Sequence, residues 1–133
     1  MTRKYRILCV DDRKDILELI KVMLEKEGYD VSVSESGEDA LRQISVEVPD
    51  LILLDIMMPI MPGLEVLKKI ISGDKTRNVP VIMLTAINEF SYIKTAMELG
   101  ASTYISKPFN RVMLLGLIHG FISQGPGGES ANV

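Results

Sequence analysis

Three short stretches of this chain are apolar without a break: Ile7-Leu8-Cys9-Val10, Leu51-Ile52-Leu53-Leu54 and Val81-Ile82-Met83-Leu84. A strand with one wet face alternates polar and apolar residues. An unbroken apolar run is instead buried on both faces, as in a parallel sheet covered by helices. Together with two weaker segments they predict five strands, at Tyr5–Val10, Val31–Ser34, Leu51–Leu54, Val81–Leu84 and Thr103–Ile105.

Helical periodicity fills the intervals. Ile16, Leu19, Ile20, Met23 and Leu24 follow the i, i+3, i+4, i+7, i+8 stripe of a core-facing helix. Ser36-Gly37-Glu38-Asp39 is similar to a capping box and opens a second helix through Ala40, Leu41 and Ile44. Val66, Leu67, Ile70 and Ile71 mark a third, and Ile93, Ala96 and Met97 a fourth. Gly28, Gly73 and Gly100 each fall just past a helical pattern, where a left-handed cap favours glycine. In the fifth helix Val112, Met113, Leu114, Leu115, Leu117, Ile118, Phe121 and Ile122 cover more than one face, which predicts burial on both sides. Five β-then-α units give an open, doubly wound α/β domain with helices on both faces of the sheet.

At 133 residues there is room for one domain, and 47% apolar residues are enough for a core. Fifteen Lys plus Arg against eighteen Asp plus Glu give a net charge of −3, without general attraction for nucleic acid or an anionic membrane surface. Cys9 is the one cysteine, which excludes an internal disulfide and a CxxC metal site, and its apolar neighbours predict a small buried hydrophobe. The basic start Arg3-Lys4-Tyr5-Arg6 leads into an apolar stretch that ends at once in Asp11-Asp12, too short for a signal peptide. No run approaches a membrane span, so a cytoplasmic location is expected. Residues 1–123 form the predicted domain. Residues 124–133 are Gly-rich without apolar period and read as a flexible tail or linker.

In an open parallel sheet, ligands bind beyond the carboxyl ends of the strands. Asp11 and Asp12 follow the first strand and Asp55 the third, while Thr85 follows the fourth and Lys107 the fifth. Any one Asp there is explained by capping the next helix, as Asp12 would do for a helix starting near Lys14. Three carboxylates drawn to one edge are a different matter, because their repulsion calls for a cation, and an all-oxygen site that keeps water suits Mg²⁺. With Lys107 as a fixed positive charge and Thr85 as a donor, the set suits phosphoryl transfer.

Val10-Asp11-Asp12, Leu54-Asp55-Ile56-Met57-Met58-Pro59, Leu84-Thr85-Ala86 and Lys107-Pro108-Phe109 resemble, in order and spacing, the signature of response-regulator receiver domains of two-component signalling. The resemblance spans roughly residues 5–122. It implies a flavodoxin-like (β/α)5 fold with strand order 2-1-3-4-5. It further implies that Asp55 accepts a phosphoryl group from the phosphohistidine of a sensor histidine kinase or phosphotransfer protein. Asp12 and Asp55 would hold Mg²⁺ directly with the backbone carbonyl of Met57, and Asp11 largely through water. Thr85 would hydrogen-bond the phosphoryl group, Lys107 would pair with it, and Lys107-Pro108 would be cis. Tyr104 matches the switch aromatic, although a half-buried strand tyrosine with a wet hydroxyl fits the residue equally well. On this resemblance the chain is a signalling phosphoacceptor that catalyses only its own phosphorylation and dephosphorylation. The fourth helix, fifth strand and fifth helix would form its output face, with a second copy or an effector domain as the partner of the fifth helix.

The chain departs from the family pattern after Asp55. The usual Met-Pro-Gly-Met-Asp-Gly is here Met58-Pro59-Ile60-Met61-Pro62-Gly63, so a positive φ at position 60 would be strained, and Pro62 is placed to start a helix. Met57 and Ile87 occupy the two variable positions beside the phosphoryl group, and neither can position an attacking water, which predicts slow loss of phosphate. Arg13 reads as a solvated first-turn side chain rather than a contact to the phosphoryl group or a partner, His119 as surface or core edge, and Met57, Met58 and Met61 as either loop packing or an adaptable contact surface.

Three other classes fit less well. An aspartyl-phosphate phosphatase wants a second acid two residues beyond its nucleophile, where this chain has Met57. A flavodoxin-like cofactor binder wants a phosphate loop after the first strand, where this chain has Asp11-Asp12. A non-phosphorylated relative would lack one of Asp12, Asp55 or Lys107, and all three are present.

Overall fold

The computed structural model describes residues 4–86 and 90–124. Five strands, β1 (Arg6–Val10), β2 (Asp30–Ser34), β3 (Leu51–Asp55), β4 (Val81–Thr85) and β5 (Thr103–Ser106), alternate with five helices. The helices are α1 (Lys14–Lys26), α2 (Gly37–Val46), α3 (Gly63–Ser72), α4 (Phe90–Leu99) and α5 (Arg111–Gln124). All strand pairs are parallel, in the order β2-β1-β3-β4-β5. The fold is therefore the doubly wound, flavodoxin-like one.

The unbroken apolar runs are explained by two separate cores. Ile7, Cys9, Leu51, Leu53, Ile82 and Leu84 point to one face, where Leu17, Ile20 and Leu24 of α1 and Leu114, Ile118 and Ile122 of α5 cover them. Leu8, Val10, Ile52, Leu54, Val81 and Met83 point to the other, under Ala40 and Ile44 of α2, Val66, Leu67 and Ile70 of α3, and Ile93 and Ala96 of α4. Successive strand residues face opposite ways, so burying both faces leaves no position for a polar residue.

Several local expectations are corrected. In α1 the buried stripe is Leu17, Ile20, Met23 and Leu24, while Leu19 is exposed. Leu17 and Leu19 are equally apolar, and only the docking angle of the helix separates them. Gly28 and Gly100 take positive φ as caps, but Gly73 has φ −86° in extended backbone. The Ser36 side chain caps α2 by accepting from the Asp39 amide at 3.1 Å. Asp39 does not close the reciprocal half of the box: its carboxylate accepts from Ser34 and Gln43 instead. Those hydrogen bonds, Ser34 first, hold the Asp39 carboxyl below the ordinary range. Pro62 is the N-cap of α3 rather than its first helical residue.

Helix α5 buries Leu114, Ile118 and Ile122 and half-buries Leu115, Leu117 and Phe121, leaving Val112 and Met113 exposed. Its expected second buried face is thus exposed among the described residues. Among the described residues no helix is long and apolar enough to cross a membrane.

The strand order reverses at β1: its crossover to β2 goes one way and the next, to β3, goes the other. The two crossovers part above the carboxyl ends of β1 and β3 and open a crevice there. Asp11 and Asp55 stand at its two sides.

Candidate functional site

Each polar side chain of the crevice is held by the end of a strand. Asp11 directly follows β1, is fully buried, and its amide donates to the Ser34 carbonyl at the end of β2 (3.1 Å). Asp55 and Thr85 are the last residues of β3 and β4, and both are buried. Lys107 follows β5, and its amide donates to the Thr85 carbonyl at 2.7 Å, before a cis bond to Pro108.

The lysine closes the group. Lys107 Nζ donates to Asp11 Oδ2 at 3.1 Å and to Asp55 Oδ1 at 3.2 Å. The other Asp11 oxygen accepts from the Arg13 amide at 2.9 Å. The N-cap of α1 is Arg13, without a side-chain cap hydrogen bond, so Asp12 does not cap that helix and its carboxylate is exposed. Carboxylate oxygens of Asp11, Asp12 and Asp55 lie within 4.8 Å of one another, a spacing that one cation can bridge.

Two or three acids and one base leave excess negative charge in a poorly hydrated place, and the titration behaviour reflects this. Burial, followed by the charge of Asp11, pushes the Asp55 carboxyl up to about 6, against the pull of Lys107. Burial works against the Lys107 ammonium, but Asp55 and Asp11 outweigh it and hold it above its ordinary value. Cys9 lies beneath, and burial and Asp11 push its thiol well up, so it is an unreactive core residue.

Thr85 stands one residue past the strand position paired with Asp55, with its hydroxyl donating to the Ala86 carbonyl at 3.0 Å. Tyr104, on the edge strand β5 in register with Met83, is 42% exposed. Met57 is exposed beside Asp55, and its amide hydrogen-bonds that carboxylate. Ile87 lies outside the described residues. Arg13 is exposed and pairs with Asp15, and His119 is exposed, as expected of surface residues. A cavity of about 360 Å³ lined by Arg6, Leu8, Ser32 and Gln43 contains none of the crevice acids.

One positioning residue was missed in the sequence. A Cβ on Gly63 would lie 2.2 Å from the Asp55 carbonyl oxygen and 2.8 Å from Ile56 Cα. The Gly63 amide also donates to the Ile56 carbonyl at 3.1 Å, so the start of α3 lies directly on the phosphoacceptor candidate's backbone. The signal was available, since Gly63 ends the Met58–Gly63 loop, but a glycine after a proline is equally an ordinary helix start.

Comparison with known proteins agrees with this geometry. The family model of the response regulator receiver domain matches residues 7–119. Over 105 residues the chain is 42% identical to the alkaline phosphatase synthesis transcriptional regulatory protein PhoP of Bacillus subtilis (strain 168), covering 79% of this chain. The chain spans only 43% of the length of that relative. Its fold is similar to that of a response regulator from Chloroflexus aurantiacus J-10-fl, with a TM-score of 0.87 and 30% identity over 91% of this chain and 99% of that one. It is likewise similar to the signal receiver domain of a signal transduction histidine kinase from Syntrophus aciditrophicus, with a TM-score of 0.84 and 32% identity over 90% of each chain. With four strand ends gathering the family's acids, hydroxyl and lysine into one crevice, this chain belongs to the response regulator receiver domains of two-component signalling.

Proposed function

We propose that Asp55 is the phosphoacceptor of this receiver and takes its phosphoryl group from a protein phosphohistidine. The observation that carries the reading is Lys107, which holds Asp55 and Asp11 together from a third strand end. In the reaction an oxygen of the ionised Asp55 carboxylate attacks phosphorus, the P–N bond to imidazole breaks, and the imidazole nitrogen takes up a proton. The chain catalyses this step and the later hydrolysis on itself and acts on no other substrate.

The donor set fits a hard divalent cation, since it offers only carboxylate oxygens and Asp12 is open to water. Asp12, Asp55 and the Met57 carbonyl would hold Mg²⁺, with Asp11 contributing largely through water. When bound, Mg²⁺ offsets the negative charge that gathers at phosphorus. Lys107, which already reaches Asp55, would pair with a phosphoryl oxygen. The Thr85 hydroxyl, now turned to the Ala86 carbonyl, is one side-chain rotation from donating to the phosphate. An aspartyl phosphate brings nearly two negative charges to the crevice. Thr85 drawn toward it vacates space at the sheet edge for the exposed Tyr104 ring, and the surface of α4, β5 and α5 changes shape.

That surface carries the exposed Met97, Tyr104, Val112 and Met113, which suits a second copy or an effector domain. Residues 1–123 form the receiver unit, whose last helix runs on to Gln124, while residues 125–133 lie outside the described residues; the location is cytoplasmic, without direct contact to nucleic acid or membrane. The reading is tested by phosphorylating the chain from an autophosphorylated sensor kinase and mapping the modified peptide. Phosphate on Asp55 is expected, and phosphate on any other residue contradicts it.

A further inference from the structure

The loop between Asp55 and Gly63 contains the least comfortable backbone among the described residues. Ile60 has φ 68°, and the Met61 amide donates across it to the Pro59 carbonyl at 2.7 Å, a γ-turn of the strained sense. It is the one non-glycine with positive φ among the described residues. A β-branched side chain is the worst choice for this conformation, where Gly or Asn would sit at little cost. Packing does not compensate, because Ile60 is 97% exposed. A single exposed apolar residue is ordinary, but an exposed one held in a strained backbone is disfavoured twice.

Its surroundings share this character. From Met57 to Pro62 no side chain carries a charge or a hydrogen-bond donor, in a protein with 25% charged residues. The loop leaves and rejoins the end of β3, where the Gly63 amide meets the Ile56 carbonyl. Three residues of chain span about 10 Å at most, so Ile60 stays on the rim of the crevice that holds Asp55. Asp55 is only 4% exposed, and a macromolecular donor has to press against that rim to bring phosphorus to its carboxylate.

We infer that Ile60 is a specificity-determining contact for the phosphohistidine-bearing protein, burying its side chain in an apolar patch beside the donor histidine. The inference rests on the phosphoacceptor reading above. It predicts that the side chain matters to transfer from a protein donor and is irrelevant to transfer from a small one.

The experiment uses Ile60→Gly, Ile60→Asn and Ile60→Leu with two phosphodonors. One is acetyl phosphate with Mg²⁺. The other is whichever of a set of purified, autophosphorylated sensor kinases labels the wild-type chain fastest. Gly and Asn variants are expected to be labelled by acetyl phosphate at the wild-type rate. With the kinase they should lose about tenfold or more in kcat/KM, chiefly through KM, as expected for exposing one buried Ile side chain. Ile60→Leu should recover most of that loss. Equal labelling of all variants by the kinase overturns the inference, and so does an equal loss with both donors, which would make Ile60 a loop-shaping residue. A wild-type chain that accepts phosphate from neither donor contradicts the phosphoacceptor reading itself.

Discussion

Lys107 Nζ lies 3.2 Å from Asp55 Oδ1, and the same ammonium reaches Asp11 at 3.1 Å, so one cation balances two buried carboxylates. Removing it strands both. Lys107→Met should destabilise the metal-free protein at pH 8 by about 2–3 kcal/mol, on the scale of breaking a partly buried ion pair. The loss should shrink toward pH 5 as Asp55 takes up a proton. Denaturant unfolding in EDTA at the two pH values measures both effects.

Asp55 should be a stability liability when nothing is bound. Its carboxyl is raised from 3.8 to about 6, so between these values the folded state binds more protons than the unfolded one. Stability from this group is complete below pH 3.8, falls as pH rises, and is lost above pH 6. An upward move of that size corresponds to about 3 kcal/mol at most. Asp55→Asn should therefore be more stable than wild type at pH 7.5 without divalent ions, by about 1–3 kcal/mol, and the advantage should vanish near pH 4. Urea titrations across this range give the curve, and a constant difference at all pH values would contradict the assigned cause.

Mg²⁺ should reverse this order by binding the folded site. At 100 times its dissociation constant the wild type gains about 2.7 kcal/mol. The gain should grow as pH rises through 6, because the ligand carboxylate must first lose its proton. It should be small in Asp12→Ala and in Asp55→Asn. Thermal unfolding with and without Mg²⁺ provides the comparison.

Gly63 carries the geometry of Asp55. The added methyl of Gly63→Ala would lie 2.2 Å from the Asp55 carbonyl, so the strand end must shift. Overpacking of this kind costs about 1–3 kcal/mol. Labelling by acetyl phosphate should slow as well, because the carboxylate moves with its backbone. Slow labelling under conditions where Gly63→Ala is still fully folded would support the positioning role, whereas normal labelling would refute it.

Phosphate should leave the protein slowly. Met57 is exposed beside Asp55 and offers no hydrogen-bonding group at its tip to hold an attacking water. Met57→Asn should shorten the lifetime of the phosphorylated chain several-fold, followed by intact mass over time. An unchanged decay would remove Met57 from this role.

The strands were legible because both their faces are buried. Leu51-Ile52-Leu53-Leu54 admits no wet face, and the predicted ends of β3 and β4 missed only Asp55 and Thr85, the polar residues that turn a strand end into a site. The convergence of Asp11, Asp12, Asp55 and Lys107 was also readable, since parallel strands deliver their carboxyl ends to one edge. What sequence could not supply was orientation. Leu17 and Leu19 exchange roles through the docking of α1, Asp12 does not cap that helix, and Asp39 turns to Ser34 instead of closing its box. Each depends on where a neighbouring element lies, which no local pattern encodes. Ile60 is the reverse case: its misfit to a positive φ was written in the sequence, and the structure adds that it is almost fully exposed, covered by none of the described residues.

The central claim, that the acidic crevice exists to place a phosphoryl group on Asp55, is tested most directly by intact mass after incubation with acetyl phosphate and Mg²⁺. A single phosphate adduct is expected on the wild-type chain, lost when Mg²⁺ is chelated beforehand and absent from Asp55→Asn. Equal labelling of wild type and Asp55→Asn would contradict it.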